Sequence, residues 1–193
     1  MDICKKFAND SVDKSLSHWQ KRNPKLTREK AIEDILSGKV AEFGVKEYYE
    51  NKGVFVLQDP DVEVYDQKDK TFFSDLVVII NTKEIPVAVK SQSKSMSDFL
   101  GEVSWTFQHR DTDGEKMGHN DREIFGDKQS STPVVLCSVD GNKVTIHGEV
   151  PIKFLHENNL FMPPAKNGMV MSKKCVYLEF LKESLEKNSI GSV

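Results

Sequence analysis

Asp75, Lys90 and Glu42 are the residues whose types and spacing promise chemistry. Phe73-Ser74-Asp75 leads into the apolar run Leu76-Val77-Val78-Ile79-Ile80; Asn81-Thr82-Lys83-Glu84 interrupts it, and Ile85-Pro86-Val87-Ala88-Val89-Lys90-Ser91-Gln92 follows. Two Val- and Ile-rich runs about a short polar break predict an antiparallel hairpin. Folded about the middle of the break, Ile80 faces Ile85 and Asp75 faces Lys90, and directly opposed side chains share a face within contact distance. Strand alternation sets Ala88, Lys90 and Gln92 on one side, with Val87, Val89 and Ser91 on the other. A carboxylate and an ammonium at the end of an apolar hairpin are either a register-fixing ion pair or the start of a catalytic site.

The surrounding residues favour the second reading. An Asp on one strand, then a hairpin, then Val-Lys with Gln two residues on resembles the PD-(D/E)XK nuclease superfamily, the restriction-endonuclease-like fold. Glu42, in Val40-Ala41-Glu42-Phe43-Gly44-Val45-Lys46-Glu47-Tyr48-Tyr49, matches that family's glutamate on the helix before the strands. The resemblance implies a metal-dependent deoxyribonuclease that hydrolyses phosphodiester bonds using Mg2+, with Mn2+ as a substitute. Asp75, Glu42 and Glu102 would hold the metal, and Lys90 would position the attacking water or stabilise charge on the phosphoryl group. Hard cations take carboxylate oxygens, which is why the chemistry needs these acids. Gln92, Lys94 and Arg110 would contact DNA phosphates.

The family pattern places an acid two residues before the lysine, where this chain has Ala88. Three accounts stand open. The acid has moved to the helix after the lysine strand, as in some restriction enzymes, and Glu102 lies twelve residues past Lys90. Alternatively an acid at 88 has been replaced, or a nuclease-like fold persists as a DNA-binding or assembly protein without catalysis. An unrelated α+β interaction domain is the remaining alternative.

The elements that must position these residues fit one domain over residues 1–193. It divides into a helical N-terminal arm (1–38), a core (39–150) and a C-terminal extension (151–193). The fold class expected is α/β or α+β, an αβββαβ core with a central mixed sheet flanked by helices. With 38% hydrophobic and 30% charged residues and a formal net charge of -3, the whole chain carries no global nucleic-acid signature, so a DNA-binding surface must be local. The first 38 residues, however, carry more Lys and Arg than Asp and Glu, as either a solvated helical face or an arm along phosphates. No apolar run approaches the roughly 20 residues of a membrane span, and Met1-Asp2-Ile3-Cys4-Lys5-Lys6 lacks a signal-peptide core. Three scattered cysteines imply neither a disulfide framework nor a CxxC metal pair. An intracellular setting, cytoplasmic or nucleoid-associated, is therefore expected. Cutting both DNA strands calls for two sites, so family habit implies a homodimer.

Along the chain, Asn23-Pro24 should end a first helix, with Thr27 capping a second that stops at Ser37-Gly38. A further helix should run from Lys39 to Asn51-Lys52-Gly53, followed by a strand at Val54–Leu57 and another from Val62. Met96, Phe99, Leu100, Val103 and Phe107 fall at helical spacing, predicting one helix that carries Glu102, with Ser95 and Asp98 as a capping box. Residues 109–131 read as a long functional loop. Asp140-Gly141-Asn142 between two β-rich runs predicts a second hairpin. The last segment reads as a strand or helix from Cys175, with Leu178, Leu181 and Leu185 favouring a helix. Two other metal sets, Asp59 with Asp61 and Glu63, and His109 and His119 with Asp111 and Asp113, are better read as turn and loop chemistry.

Overall fold

The computed structural model describes residues 2–64, 74–109, 121–165 and 173–190. Arg110, together with His119, Asp111 and Asp113, lies outside the described residues, as do Tyr65 and the charged stretch after it. The chain runs α1 (Asp2–Arg22), α2 (Arg28–Asn51), β1 (Phe55–Gln58), β2 (Leu76–Ile80), β3 (Lys83–Ser93) and α3 (Lys94–Leu100). It continues with β4 (Ser104–Gln108), α4 (Arg122–Gly126), β5 (Pro133–Asp140), β6 (Lys143–Pro151), α5 (Ile152–Glu157), β7 (Lys173–Tyr177) and α6 (Leu178–Ile190). The protein is a mixed α/β structure whose central sheet is mixed in strand direction.

That sheet has the order β1-β2-β3-β5-β6. β1, β2 and β3 form an antiparallel meander, β5 lies parallel to β3, and β6 returns antiparallel to β5. A parallel neighbour requires a crossover, and the chain uses α3, β4 and α4 to make it. Helix α2 covers one sheet face, where Val40, Ala41, Val45 and Tyr49 meet Leu76, Val78, Val87, Val135 and Cys137. On the other face Trp105 and Phe107 of β4, with Ile152, Leu155, Val176 and Leu181, cover Val134 and Leu136. β4 and β7 pair there as a separate antiparallel ribbon. Buried Trp105 fastens this second layer to the sheet, its indole N–H donating to the Cys137 carbonyl at 2.7 Å.

Several expectations are corrected. The helix expected to stop at Ser37-Gly38 continues, because α2 has buried residues on both sides of that point. A helical glycine costs only about 1 kcal/mol relative to alanine, less than the burial on either side returns. The long helix expected through residue 107 ends at Leu100. Gly101, at φ 75°, supplies the left-handed C-cap and its N–H bonds the Ser97 carbonyl, after which the chain turns into β4. Phe99, expected in the core-facing stripe, is 68% exposed. Ser93, not Ser95, caps α3. Residues 61–64 form no strand, and 122–126 form a short helix inside the expected loop. The closing segment is both things in turn, strand through Tyr177 and helix from Leu178.

The central hairpin forms with a tighter turn than expected. Ile80 pairs with Lys83 across Asn81 and Thr82, both at positive φ (50° and 64°), in the manner of two-residue hairpin turns that match strand twist. The register therefore differs by two residues from the expected one. Leu76 pairs with Val87, and one step further Asp75 comes level with Ala88 rather than Lys90. A slip of two leaves every side chain on its own face, so the sidedness of Ala88, Lys90 and Gln92 is kept.

Candidate functional site

The site forms where β2 stops and β3 continues. Past Val87, β3 has β5 on one side and, among the described residues, no strand on the other. Asp75 fills the first vacant ladder position with its side chain, Oδ2 accepting the Val89 N–H at 2.7 Å. Its carboxyl is held above the usual range, chiefly by burial. The Val89 bond and the charges of Lys90 and Lys39 oppose that shift, and Asp121 adds to it. Asp75 thus stands within electrostatic reach of lysines from α2 and β3.

Glu42 arrives from α2, where Lys39 one turn earlier shares its face. Lys39 Nζ lies 2.5 Å from Glu42 Oε2, both side chains are nearly enclosed, and the same ammonium sits 4.9 Å from the Phe7 ring centroid. Burial pushes the Glu42 carboxyl up to about 8, against the pull of Lys39 and with help from Asp75 and Asp61. Two carboxyls raised by burial, one of them directly by the other's charge, are a donor pair that a cation would relieve. Mg2+ is commonly held by one or two carboxylates with water and phosphate completing its shell, and Glu42 and Asp75, now engaged by Lys39 and the Val89 N–H, are the acids this end of the hairpin could offer it. Among the described residues no set of three or more His, Cys, Asp or Glu side chains is arranged to hold a metal.

Lys90 points away from α2, on the face it shares with Ala88, toward the second layer. Its Nζ lies 2.5 Å from Asp121 Oδ1, off the axis of a well-formed hydrogen bond, and 5.4 Å from the Phe107 ring centroid. Asp121 is 3% exposed, and its other oxygen accepts the Gln108 N–H at 2.5 Å. Lys173, opposite Gln108 in the β4–β7 ribbon, completes the group. Burial lowers its pKa, Asp121 opposes that, and Lys90 reinforces it. Lys90 is therefore anchored by an acid from the segment before α4, with a second lysine close by.

The remaining predicted residues divide. Glu102 lies in the turn after α3 rather than on a helix, lining a cleft, and its charge acts on Cys175 and Tyr177 of β7. Gln92 is buried and ties β3 to β4, its carbonyl oxygen accepting the Ser104 N–H at 2.9 Å. Lys94 is exposed and paired with Asp98 at 3.0 Å, a surface contact within α3. In the set Asp59, Asp61 and Glu63, Asp59 pairs with Lys46 at 2.8 Å and Asp61 caps the Glu63 N–H, which is turn chemistry.

Sequence reasoning passed over Lys39, Asp121 and Lys173. Lys39 carried a signal, since it lies three residues before Glu42 and so shares its helix face. Asp121 and Lys173 carried none, because only the packing of the second layer brings them to β3. No family model matches the chain, and no curated protein matches it.

Proposed function

We propose that the protein is a Mg2+-dependent DNA endonuclease with a restriction-endonuclease-like core. The observation carrying this reading is that Asp75, before β2, interacts by charge both with Glu42 of α2 and with the Lys90–Asp121 pair of the other sheet face, at one end of the β2–β3 hairpin. The strand order supports it too: a helix, an antiparallel meander and a crossover to a strand parallel to β3.

Glu42 and Asp75 would hold the metal, which when bound polarises a phosphoryl oxygen and sharpens a water as nucleophile. Lys90 sets an ammonium beside the reacting phosphate, where it stabilises the charge that gathers on the phosphoryl oxygens. Asp121 fixes the direction of Lys90 through its bond to the β4 backbone. Lys173 adds a second cationic contact. DNA is the substrate, and a homodimer would supply one site for each strand.

Supercoiled plasmid incubated with Mg2+, with Mn2+ and with chelator tests the reading. Nicking or cutting is expected only with divalent metal, and Lys90→Ala or Asp75→Asn should reduce it by about 100-fold or more. No cutting by the natural chain or by Ala88→Glu in either metal refutes it. A second reading, a nuclease-like protein that binds or assembles on DNA without cutting it, is favoured by the lysines already seated on Glu42 and Asp121. It expects DNA binding that is indifferent to Lys90→Ala.

A further inference from the structure

Beside the Lys90–Asp121 pair opens a cleft of about 360 Å3, lined at that end by Lys173. Strand alternation puts Lys173, Cys175 and Tyr177 on one face of β7, and all three line the cleft. Lys173 is half-buried and differs from the two other lysines of the site. Lys39 has Glu42 and Lys90 has Asp121, each at 2.5 Å. Asp121 has nothing left for Lys173, because its second oxygen accepts the Gln108 N–H. Among the described residues the Lys173 amine makes no ion pair and no hydrogen bond. Burial therefore favours the neutral amine, and Lys90 reinforces it against the charge of Asp121. A lysine amine kept neutral in an apolar enclosure beside another cation is a nucleophile for carbonyl carbon.

The cleft defines what such an amine would meet. Its volume is at the small end of the roughly 300–1,000 Å3 common to ligand pockets, room for one ring or a short chain. Met96, Leu100 and Tyr177 give it apolar walls. The Tyr177 hydroxyl donates to the Pro163 carbonyl and accepts the Ala165 N–H, which fixes its ring as one of those walls. Glu102 and Asp34 also line the cleft, and Asp34 is paired with Lys30 at 2.8 Å. Negative charge along the lining disfavours an anionic ligand, so the carbonyl compound that fits is uncharged.

We infer that the Lys173 amine captures an uncharged aldehyde as an imine, with the aldehyde's apolar or aromatic body lodged between Met96, Leu100 and the Tyr177 ring. The nitrogen lone pair forms a bond to the carbonyl carbon as the C=O π pair moves to oxygen. That oxygen then leaves as water with the two protons nitrogen gives up, and a C=N bond replaces the C=O bond. No oxidant or reductant is consumed. Apolar walls that exclude water slow the reverse hydrolysis. Capture takes place on the chain without DNA and does not depend on the hydrolase reading; a phosphate beside Lys173 would hold the amine protonated, so the two uses of Lys173 exclude one another.

The test incubates the full chain, free of DNA, with benzaldehyde at neutral pH, reduces any imine with sodium cyanoborohydride and maps the benzyl group by peptide mass spectrometry. Lys173 should carry about tenfold or more the label of the exposed Lys83 and Lys143. Benzyl alcohol, which has the same ring and no carbonyl, should compete at Lys173 and leave Lys83 unaffected. Met96→Trp, which fills the cleft, should bring Lys173 down to the level of the exposed lysines, with the fold intact by circular dichroism. Should Met96→Trp fail to fold, the benzyl alcohol competition decides. Label on Lys173 no greater than on Lys83 and Lys143, or a preference that survives benzyl alcohol or a folded Met96→Trp chain, overturns the inference. Plasmid cutting does not enter this readout, so the failure of either reading leaves the other standing.

Discussion

Glu42→Gln is the substitution that probes the acid pair most directly. In the folded protein the Glu42 carboxyl is pushed from 4.5 to about 8, first by burial and then, against the pull of Lys39, by Asp75. A folded-state pKa above the unfolded one means that the folded state holds the proton more tightly. The resulting stabilisation is complete below pH 4.5 and is lost as the pH rises to about 8. One proton sets a slope of about 1.4 kcal/mol per pH unit, or at most about 5 kcal/mol across the window, the pull of Lys39 already included. Glutamine resembles the protonated acid in shape and never ionises. The variant should therefore match the natural chain near pH 5 and become progressively more stable than it toward pH 9. Urea unfolding followed by the fluorescence of buried Trp105 measures both curves. A Mg2+ ion held by Glu42 and Asp75 must also displace that proton, so stabilisation by Mg2+ should grow with pH in the natural chain and largely vanish in Glu42→Gln. Parallel curves for the two proteins from pH 5 to 9 would refute the assignment of a neutral, enclosed Glu42.

Two further substitutions test how the hairpin and the helix that carry the site are set. Thr82, a β-branched residue at φ 64°, is strained in the two-residue turn, so Thr82→Gly should stabilise the protein by about 1 kcal/mol, read from the urea midpoint. A Cβ on Gly44 would meet Val144 Cγ2 at 2.5 Å, with other Val144 atoms at 2.7 and 3.0 Å. Gly44→Ala should thus separate α2 from β6 and cost about 1–3 kcal/mol in the same assay.

The parts of this fold that were legible are those where one local signal had no rival. Asn23-Pro24 ended α1, Thr27 capped α2, and Asp140-Gly141-Asn142 joined β5 to β6 as the turn chemistry demands. Residues 94–108 misled because two periods overlap there. Met96, Phe99, Leu100, Val103 and Phe107 match a helix, yet Ser104 to Gln108 also alternates, and pairing with β7 decides the contest after Gly101. The register of the central hairpin was unreadable for a related reason. Asn81-Thr82 lacks the glycine that marks such turns, so the break was read as four residues rather than two.

The site divides along the same line. Period-two alternation put Lys90 on the correct face whatever the turn length, and helix period put Glu42 beside α2's buried stripe, so those residues were accessible to local reasoning. The acid that holds Lys90 was not, because no spacing rule relates residue 121 to residue 90. The link is the second layer: Asp121 binds the β4 backbone at Gln108, β4 pairs with β7 through Lys173, and Trp105 fixes the ribbon to β5. Ala88 becomes intelligible in the same terms. It is partly buried against the core of that second layer, level with Val134, while Asp121 reaches the lysine from outside the sheet. The carboxylate beside Lys90 is thus supplied across the layer interface, and the β3 position two residues earlier is free to serve packing.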